Sequence, residues 1–352
     1  MLLVGEKVLK QNKVDTGVLM MPIRHSTEQT YIVTQDLGER IENLQLLGLK
    51  TPGASDPFFL EFHNKVKDAL AVILPEVKII TYDTGRLVTD VWTEAIRIQR
   101  SIKDAIVVSS CAEVASARRG HTIEVNRLVD ENGKIIGLGP RPGNPPIGEQ
   151  ISGIAAVANG NPVVLAEDGA FTGGTLEYIL GRLESRGVKV AAIVTGICFP
   201  GAIENIRRTF SGEIVVVEEI EKPYEWMPDH DFLPFAPNCG RVFGEHFGSE
   251  TLPCYNHESI SFCFPYIKPY GDPVDWASIP VEHASPFSLM CLLEALKLFK
   301  QIDEMNGRRI TAIDLAGSMP RVSVPMVMGS RQLPDTEMPI TDFLHEACEE
   351  LA

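Results

Sequence analysis

Residues 163–176 constrain this chain more than any other stretch. They read Val-Val-Leu-Ala-Glu-Asp-Gly-Ala-Phe-Thr-Gly-Gly-Thr-Leu. Residues 163–166 form a short apolar run of the length expected for a strand buried on both faces, as in a parallel sheet. Residues 176–186 (LEYILGRLESR) carry Leu176, Ile179, Leu180 and Leu183 at helical spacing. The order is therefore strand, acidic pair, small-residue loop, helix.

The loop Thr172-Gly173-Gly174-Thr175 would present free backbone N–H groups and two hydroxyls at a helix N-terminus. That arrangement suits a phosphate monoester, and glycine permits the close approach it requires. Glu167 and Asp168 stand just before it. Carboxylates repel phosphate but accept hydrogen bonds from neutral hydroxyls. Both features are satisfied by a ligand with a vicinal diol in its middle and a phosphate at one end, which describes a ribose 5-phosphate group.

This stretch resembles the phosphoribosyl pyrophosphate (PRPP) binding motif of the type I phosphoribosyltransferases: an apolar run, two acids, a variable pair, then Thr-Gly-Gly-Thr. The resemblance covers residues 163–176 without a gap. It departs from the family at Gly169, where an apolar residue such as valine is usual. The resemblance implies an α/β fold with a parallel-sheet, type I phosphoribosyltransferase-like core and helices on both faces. It also implies transfer of a 5-phosphoribosyl group from PRPP to a nitrogenous acceptor, with release of pyrophosphate and a need for Mg2+ bound mainly through PRPP. Glu167 and Asp168 would be catalytic, and residues 169–175 (Gly169, Ala170, Phe171, Thr172, Gly173, Gly174 and Thr175) would hold the phosphate end. Relatives that keep the motif but sense PRPP without transferring it are the alternative.

An alternation of strands and helices surrounds the motif. Residues 77–82 read as a strand, Asp83-Thr84-Gly85-Arg86 as a turn and residues 87–103 as a helix. A strand at 105–110 follows, then a hairpin of residues 121–129 and 134–138 about Glu131-Asn132-Gly133. Residues 139–149 form a Pro/Gly loop, 150–159 a helix, and 189–195 and 213–217 two more strands. Such alternation implies a parallel sheet. In the family the pyrophosphate-binding loop follows the first core strand, so Asp83, Thr84, Gly85 and Arg86 are expected there. Arg118, Arg119 and His121 are further candidates to meet the diphosphate, with Arg141 as a rival, because arginine's donor fork suits phosphate.

The chain has 352 residues, enough for one elaborated domain or two. We expect an N-terminal extension (1–59), a core (60–218) and a loop-rich C-terminal extension (219–352) acting as a hood or an oligomer surface, with a homodimer anticipated. Residues 221–286 are Pro-rich, aromatic and acidic, with few periodic runs. Helices are expected at 58–74, 286–300 and 340–351, and strands at 29–34 and 309–315. Some purine-specific relatives read the base with an aromatic segment after the last core strands. By that resemblance Tyr224, Trp226, Asp231 and Phe235 are acceptor-binding candidates.

A net charge of −15 disfavours broad binding to nucleic acid or to anionic membrane. The partners expected are PRPP and a small-molecule acceptor. Seven scattered cysteines, and a first stretch (MLLVGEKVLKQNKVD) without a long apolar core or a cleavage signature, lead us to expect a reducing cytoplasm. Residues 137–143 echo a dinucleotide fingerprint, but their prolines argue against it. Cys239, His246, Cys254, His257 and Cys263 lack a tight paired spacing, so no metal site is assigned to them.

Overall fold

The computed structural model describes residues 29–110, 114, 121–316 and 321–352. The fold is α/β, built on three sheets whose pairings are mostly parallel.

The central sheet contains β3 (Ile106–Ser109), β4 (His121–Thr122), β7 (Val163–Ala170), β8 (Val190–Cys198) and β9 (Glu213–Glu219), all parallel, in the order β4-β3-β7-β8-β9. Its residues alternate faces, as period two requires. Val108, Leu165, Ile193 and Ile214 stand in one row across the sheet. They pack on α4 (Ile147–Ala158), α5 (Gly174–Glu184) and α6 (Pro200–Thr209). Val107, Val164, Ala166, Ala192 and Val194 point the other way, onto α3 (Thr84–Ser101) through Val88, Val91, Ala95 and Ile98. The apolar run at 163–166 therefore has no polar position because helices cover both of its faces.

The second sheet is parallel and has three strands, ordered β10-β1-β2, from β1 (Thr30–Gln35), β2 (Lys78–Asp83) and β10 (Pro223–Pro228). This corrects one expectation. The strand at 77–82 exists, but it pairs with β1 rather than heading the central sheet. Its partner β1 offered a matching parallel edge, and β3 is the strand that adjoins β7. Residues 83–86 also differ from the expected turn. Asp83 caps α3, accepting a hydrogen bond from the Arg86 N–H at 2.6 Å, so the helix starts at Thr84.

The third sheet runs β14-β13-β11-β5-β6, with β12 on β11. The hairpin β5 (Val125–Val129) and β6 (Ile135–Pro140) leaves the central sheet after β4 and joins β11 (Arg241–Phe247), β12 (Glu250–Pro253), β13 (Ser261–Phe264) and β14 (Ser323–Pro325). Hydrogen bonding thus crosses both expected boundaries, 59/60 and 218/219. Residues 221–286, expected to be irregular, contain four strands, too short and too proline-flanked for period two to show. Residues 309–315 form a single bridge (Thr311 to Pro339) and a 3-10 turn instead of a strand.

A large apolar core joins the first and last of the described segments. It packs α1 (Leu37–Glu42) and α2 (Pro57–Ile73) with α8 (Val281–Asn306) and α9 (Ile340–Leu351), and the short α7 (Pro273–Ala277) closes one side of it. α8 begins before Pro286 rather than at it. No helix among the described residues is long and apolar enough to cross a membrane.

Candidate functional site

The carboxyl end of β7 opens onto a cleft made of two adjoining hollows of about 280 and 430 Å3. Open parallel sheets present ligand sites at this edge. Glu167 lies in both hollows and Asp168 in the smaller one; both are half-buried. The Ser110 hydroxyl, at the end of β3, donates to a Glu167 carboxylate oxygen.

The larger hollow is floored by residues 169–176. Gly173 adopts φ +82°, a left-handed conformation that turns the chain into α5. Thr172 stabilises the turn: its hydroxyl accepts from the Gly174 N–H at 3.4 Å, and its carbonyl accepts from the Asn205 amide at 3.0 Å. Thr172 and Gly174 are exposed at the start of an 11-residue helix. This geometry can receive an anion on backbone N–H groups. Ala170 is buried, and Phe171 lies edge-on to Phe199 at 4.7 Å, which fixes the loop from below.

Gly169, where the resemblance departs from the family, has a local cause. A Cβ at this position would lie 2.2 Å from the indole ring of Trp226 and 2.7 Å from the carbonyl oxygen of Ile197. The indole itself is held by its Nε1–H, which donates to Thr34 Oγ1 at 3.3 Å. Trp226 therefore forms the wall beside the acidic pair and faces both hollows.

The other expected site residues divide. Thr84 lines the smaller hollow, and its buried hydroxyl has no hydrogen-bond partner among the described residues. Asp83 is spent on capping α3, and Gly85 lies behind it. Arg86 points to solvent, 83% exposed and 3.8 Å from Asp90, because it sits on the outer side of the first helical turn. Arg118 and Arg119 lie outside the described residues. Arg141 reaches the smaller hollow, 3.5 Å from Glu124. Asp231 also lines that hollow and accepts from the Gly240 N–H at 2.7 Å; burial raises its carboxyl above the ordinary range. Phe235 is withdrawn from the site. It is 1% exposed and packs edge-on to Phe343 and Phe299 in the terminal core. Tyr224 stacks on Tyr31 and does not face the cleft.

The far wall holds residues the motif does not announce. Arg127 on β5 and Arg241 on β11 face both hollows. Arg241 lies 4.4 Å over the Trp276 ring and donates to the Tyr266 hydroxyl. Asp36, Arg40 and His230 stand together where β1 and β10 end. His230 Nδ1 is 2.7 Å from Asp36 Oδ1, and Arg40 Nε donates to Asp36 Oδ2, also at 2.7 Å. Burial pushes the Asp36 carboxyl up, but Arg40, His230 and the hydrogen bonds overcome it and leave it well below the usual carboxylate range.

Among the described residues no group of three or more His, Cys, Asp or Glu side chains is placed to hold a metal. Asp36, Glu225, Asp231 and Asp275 also line the cleft, but Glu167 and Asp168 are the adjacent pair on β7, and such a pair suits a cation that arrives on a phosphorylated ligand.

No family model matches the chain, and no curated protein matches it. Among solved structures it is similar to TT1426 from Thermus thermophilus, with 15% identity and a TM-score of 0.26, covering 40% of this chain and 84% of that one. A likeness that low carries no argument about fold or function.

Proposed function

We propose that the protein binds PRPP in this cleft and transfers its 5-phosphoribosyl group to a nitrogenous acceptor, releasing pyrophosphate. One observation carries the reading. The acidic pair and the left-handed glycine turn at a helix N-terminus open into adjoining hollows: Asp168 lines the smaller, Glu167 lines both, and the glycine turn floors the larger.

In this reading the N–H groups of residues 172–175 hold the 5-phosphate, so binding energy remote from the reaction fixes the anomeric carbon. Glu167 and Asp168 accept from the ribose hydroxyls. They also place negative charge beside the sugar as the bond to diphosphate lengthens and positive charge develops there. Ser110 orients Glu167 for that role. A Mg2+ ion carried by PRPP would neutralise charge on the leaving diphosphate, and Glu167 and Asp168 are the protein carboxylates within the cleft's sugar-binding part. Trp226 offers a flat apolar face for the acceptor.

The test is calorimetric titration of PRPP with Mg2+, followed by pyrophosphate release with and without each of a panel of purine, pyrimidine and amide acceptors. Micromolar binding with acceptor-dependent release is expected. Binding without release for any acceptor favours a PRPP-sensing role, and no binding refutes the reading.

A further inference from the structure

A transfer to nitrogen needs a base. The acceptor nitrogen carries a proton that must leave as the nitrogen–carbon bond forms. The motif loop offers none, since residues 171–175 are Phe-Thr-Gly-Gly-Thr, and Glu167 and Asp168 are committed to the sugar. The base must come from the opposite wall. Arginines stay charged and cannot serve. Burial pushes the Tyr266 hydroxyl up, and it already receives the Arg241 hydrogen bond. Asp231 Oδ1 accepts from the Gly240 N–H, and Glu225 accepts from the Trp226 N–H and the Ser278 hydroxyl.

His230 remains. It is buried yet lines the hollow that holds Asp168. A nitrogen–oxygen contact of 2.7 Å requires a proton between the atoms, so Nδ1 carries hydrogen and donates to Asp36. Arg40 Nε also lies 3.1 Å from Nδ1, but its hydrogen goes to the nearer Asp36 Oδ2 at 2.7 Å. The lone pair is then on Nε2. That atom makes no hydrogen bond among the described residues; the nearest charged atom is Asp231 Oδ1, 3.6 Å away. Asp36 is in turn fixed on three sides. Arg40 binds its second oxygen, and the backbone N–H groups of Asp36 and Leu37 donate to Asp229 at 3.1 and 3.0 Å. Asp229 is itself 3.1 Å from His63 Nδ1. The ionisable groups that line this hollow with the imidazole are Asp36 just before α1 and Arg40 within it, Asp231 from its own turn, Arg127 and Tyr266, Arg141, Arg241 from β11, and Glu167 and Asp168 from β7.

We propose that His230 is the general base of the transfer, oriented by Asp36. The assignment rests on the reading of the cleft as a PRPP site. The acceptor nitrogen attacks the anomeric carbon, and the carbon–oxygen bond to diphosphate breaks, its electron pair leaving with the diphosphate. The N–H proton passes to His230 Nε2, and the imidazolium so formed is neutralised by Asp36 until the proton is lost to solvent.

His230→Asn keeps an amide donor for Asp36, and His230→Gln reaches the Nε2 position. Each is titrated with PRPP and Mg2+ and assayed for pyrophosphate release with the acceptor that wild type uses best. We expect PRPP affinity within about twofold of wild type and kcat lower by about 10^2–10^4. The acid-side fall of the pH–rate profile should vanish, and imidazole should restore part of the rate in His230→Ala. An unchanged kcat, or a parallel loss of PRPP affinity and kcat, overturns the assignment and leaves the PRPP reading standing. A wild-type protein that binds no PRPP overturns both. Should the variants not fold, wild type is treated with diethyl pyrocarbonate and mapped by peptide mass. Carbethoxylated His230 with lost release and retained PRPP binding supports the base. Full turnover with His230 modified, or a His230 that never reacts, refutes it.

Discussion

The contact between Gly169 and Trp226 allows a quantitative test of how the cleft is built. A methyl group at Gly169 would sit 2.2 Å from two indole carbons, whereas carbon atoms rest about 3.5–4.0 Å apart. The ring must therefore retreat by more than about 1 Å. That movement breaks the 3.3 Å bond from Nε1 to Thr34, a loss of about 0.5–1.5 kcal/mol. Overpacking adds about 1–3 kcal/mol. Gly169→Ala should then cost about 1.5–4.5 kcal/mol in urea unfolding. In a Trp226→Ala background only the contact with the Ile197 carbonyl, at 2.7 Å, remains, so the same substitution should cost about 1 kcal/mol. A double-mutant cycle should accordingly return a coupling of more than about 0.5 kcal/mol. Additivity within about 0.5 kcal/mol would mean that the indole does not cover Gly169.

Three further outcomes follow from the same geometry. Asp168→Asn should lower kcat/KM for PRPP at least tenfold, about 1.4 kcal/mol, and unchanged kinetics in a folded variant would remove the acidic pair from the chemistry. Gly173→Val forces a β-branched residue into φ +82° and sets its Cβ 3.0 Å from Ile206 and 3.1 Å from the Ala202 carbonyl; phosphate binding to the loop should vanish in calorimetry, and persistent binding would place the anion elsewhere. Burial pushes the Cys198 and Cys254 thiols up to about 12, so both stay protonated until the pH nears that value, and iodoacetamide at pH 8 should leave both peptides unmodified in a mass map of the folded protein.

The sequence revealed one wall of the cleft and hid the other. Residues 163–176 could be read because everything they need is local: a strand covered on both faces, a glycine that turns left-handed, and a helix with one apolar side. The opposite wall is assembled from parallel pairings that leave no periodic trace. Asp36 meets His230 only because β1 pairs in parallel with β10, and the pairing puts the ends of both strands at the same edge. Arg127 and Arg241 face the cleft because the β5–β6 hairpin joins β11. Misplaced residues follow the same rule. An aromatic residue in a proline-rich stretch looks the same whether it stacks on a ligand or, as Phe235 does, fills a core. Arg86 suited a diphosphate in composition, but the cap formed by Asp83 starts α3 early and turns Arg86 outward. Gly169 was a departure without a reason until Trp226, 57 positions further along the chain, supplied one.

The middle position of β1 in its sheet sets a timetable for synthesis. Its neighbour β2 leaves the ribosome soon after it, but β10 follows about 140 residues later, on the order of ten seconds at ordinary elongation rates. During that interval β1 has one edge without its native partner, while the central sheet from β3 to β9 has all of its strands available and can close first. The nascent chain therefore carries an exposed strand edge for as long as it takes to make the domain's centre. The arrival of β10 closes that edge and, with the turn after it, brings Trp226 and His230 together with Thr34 and Asp36.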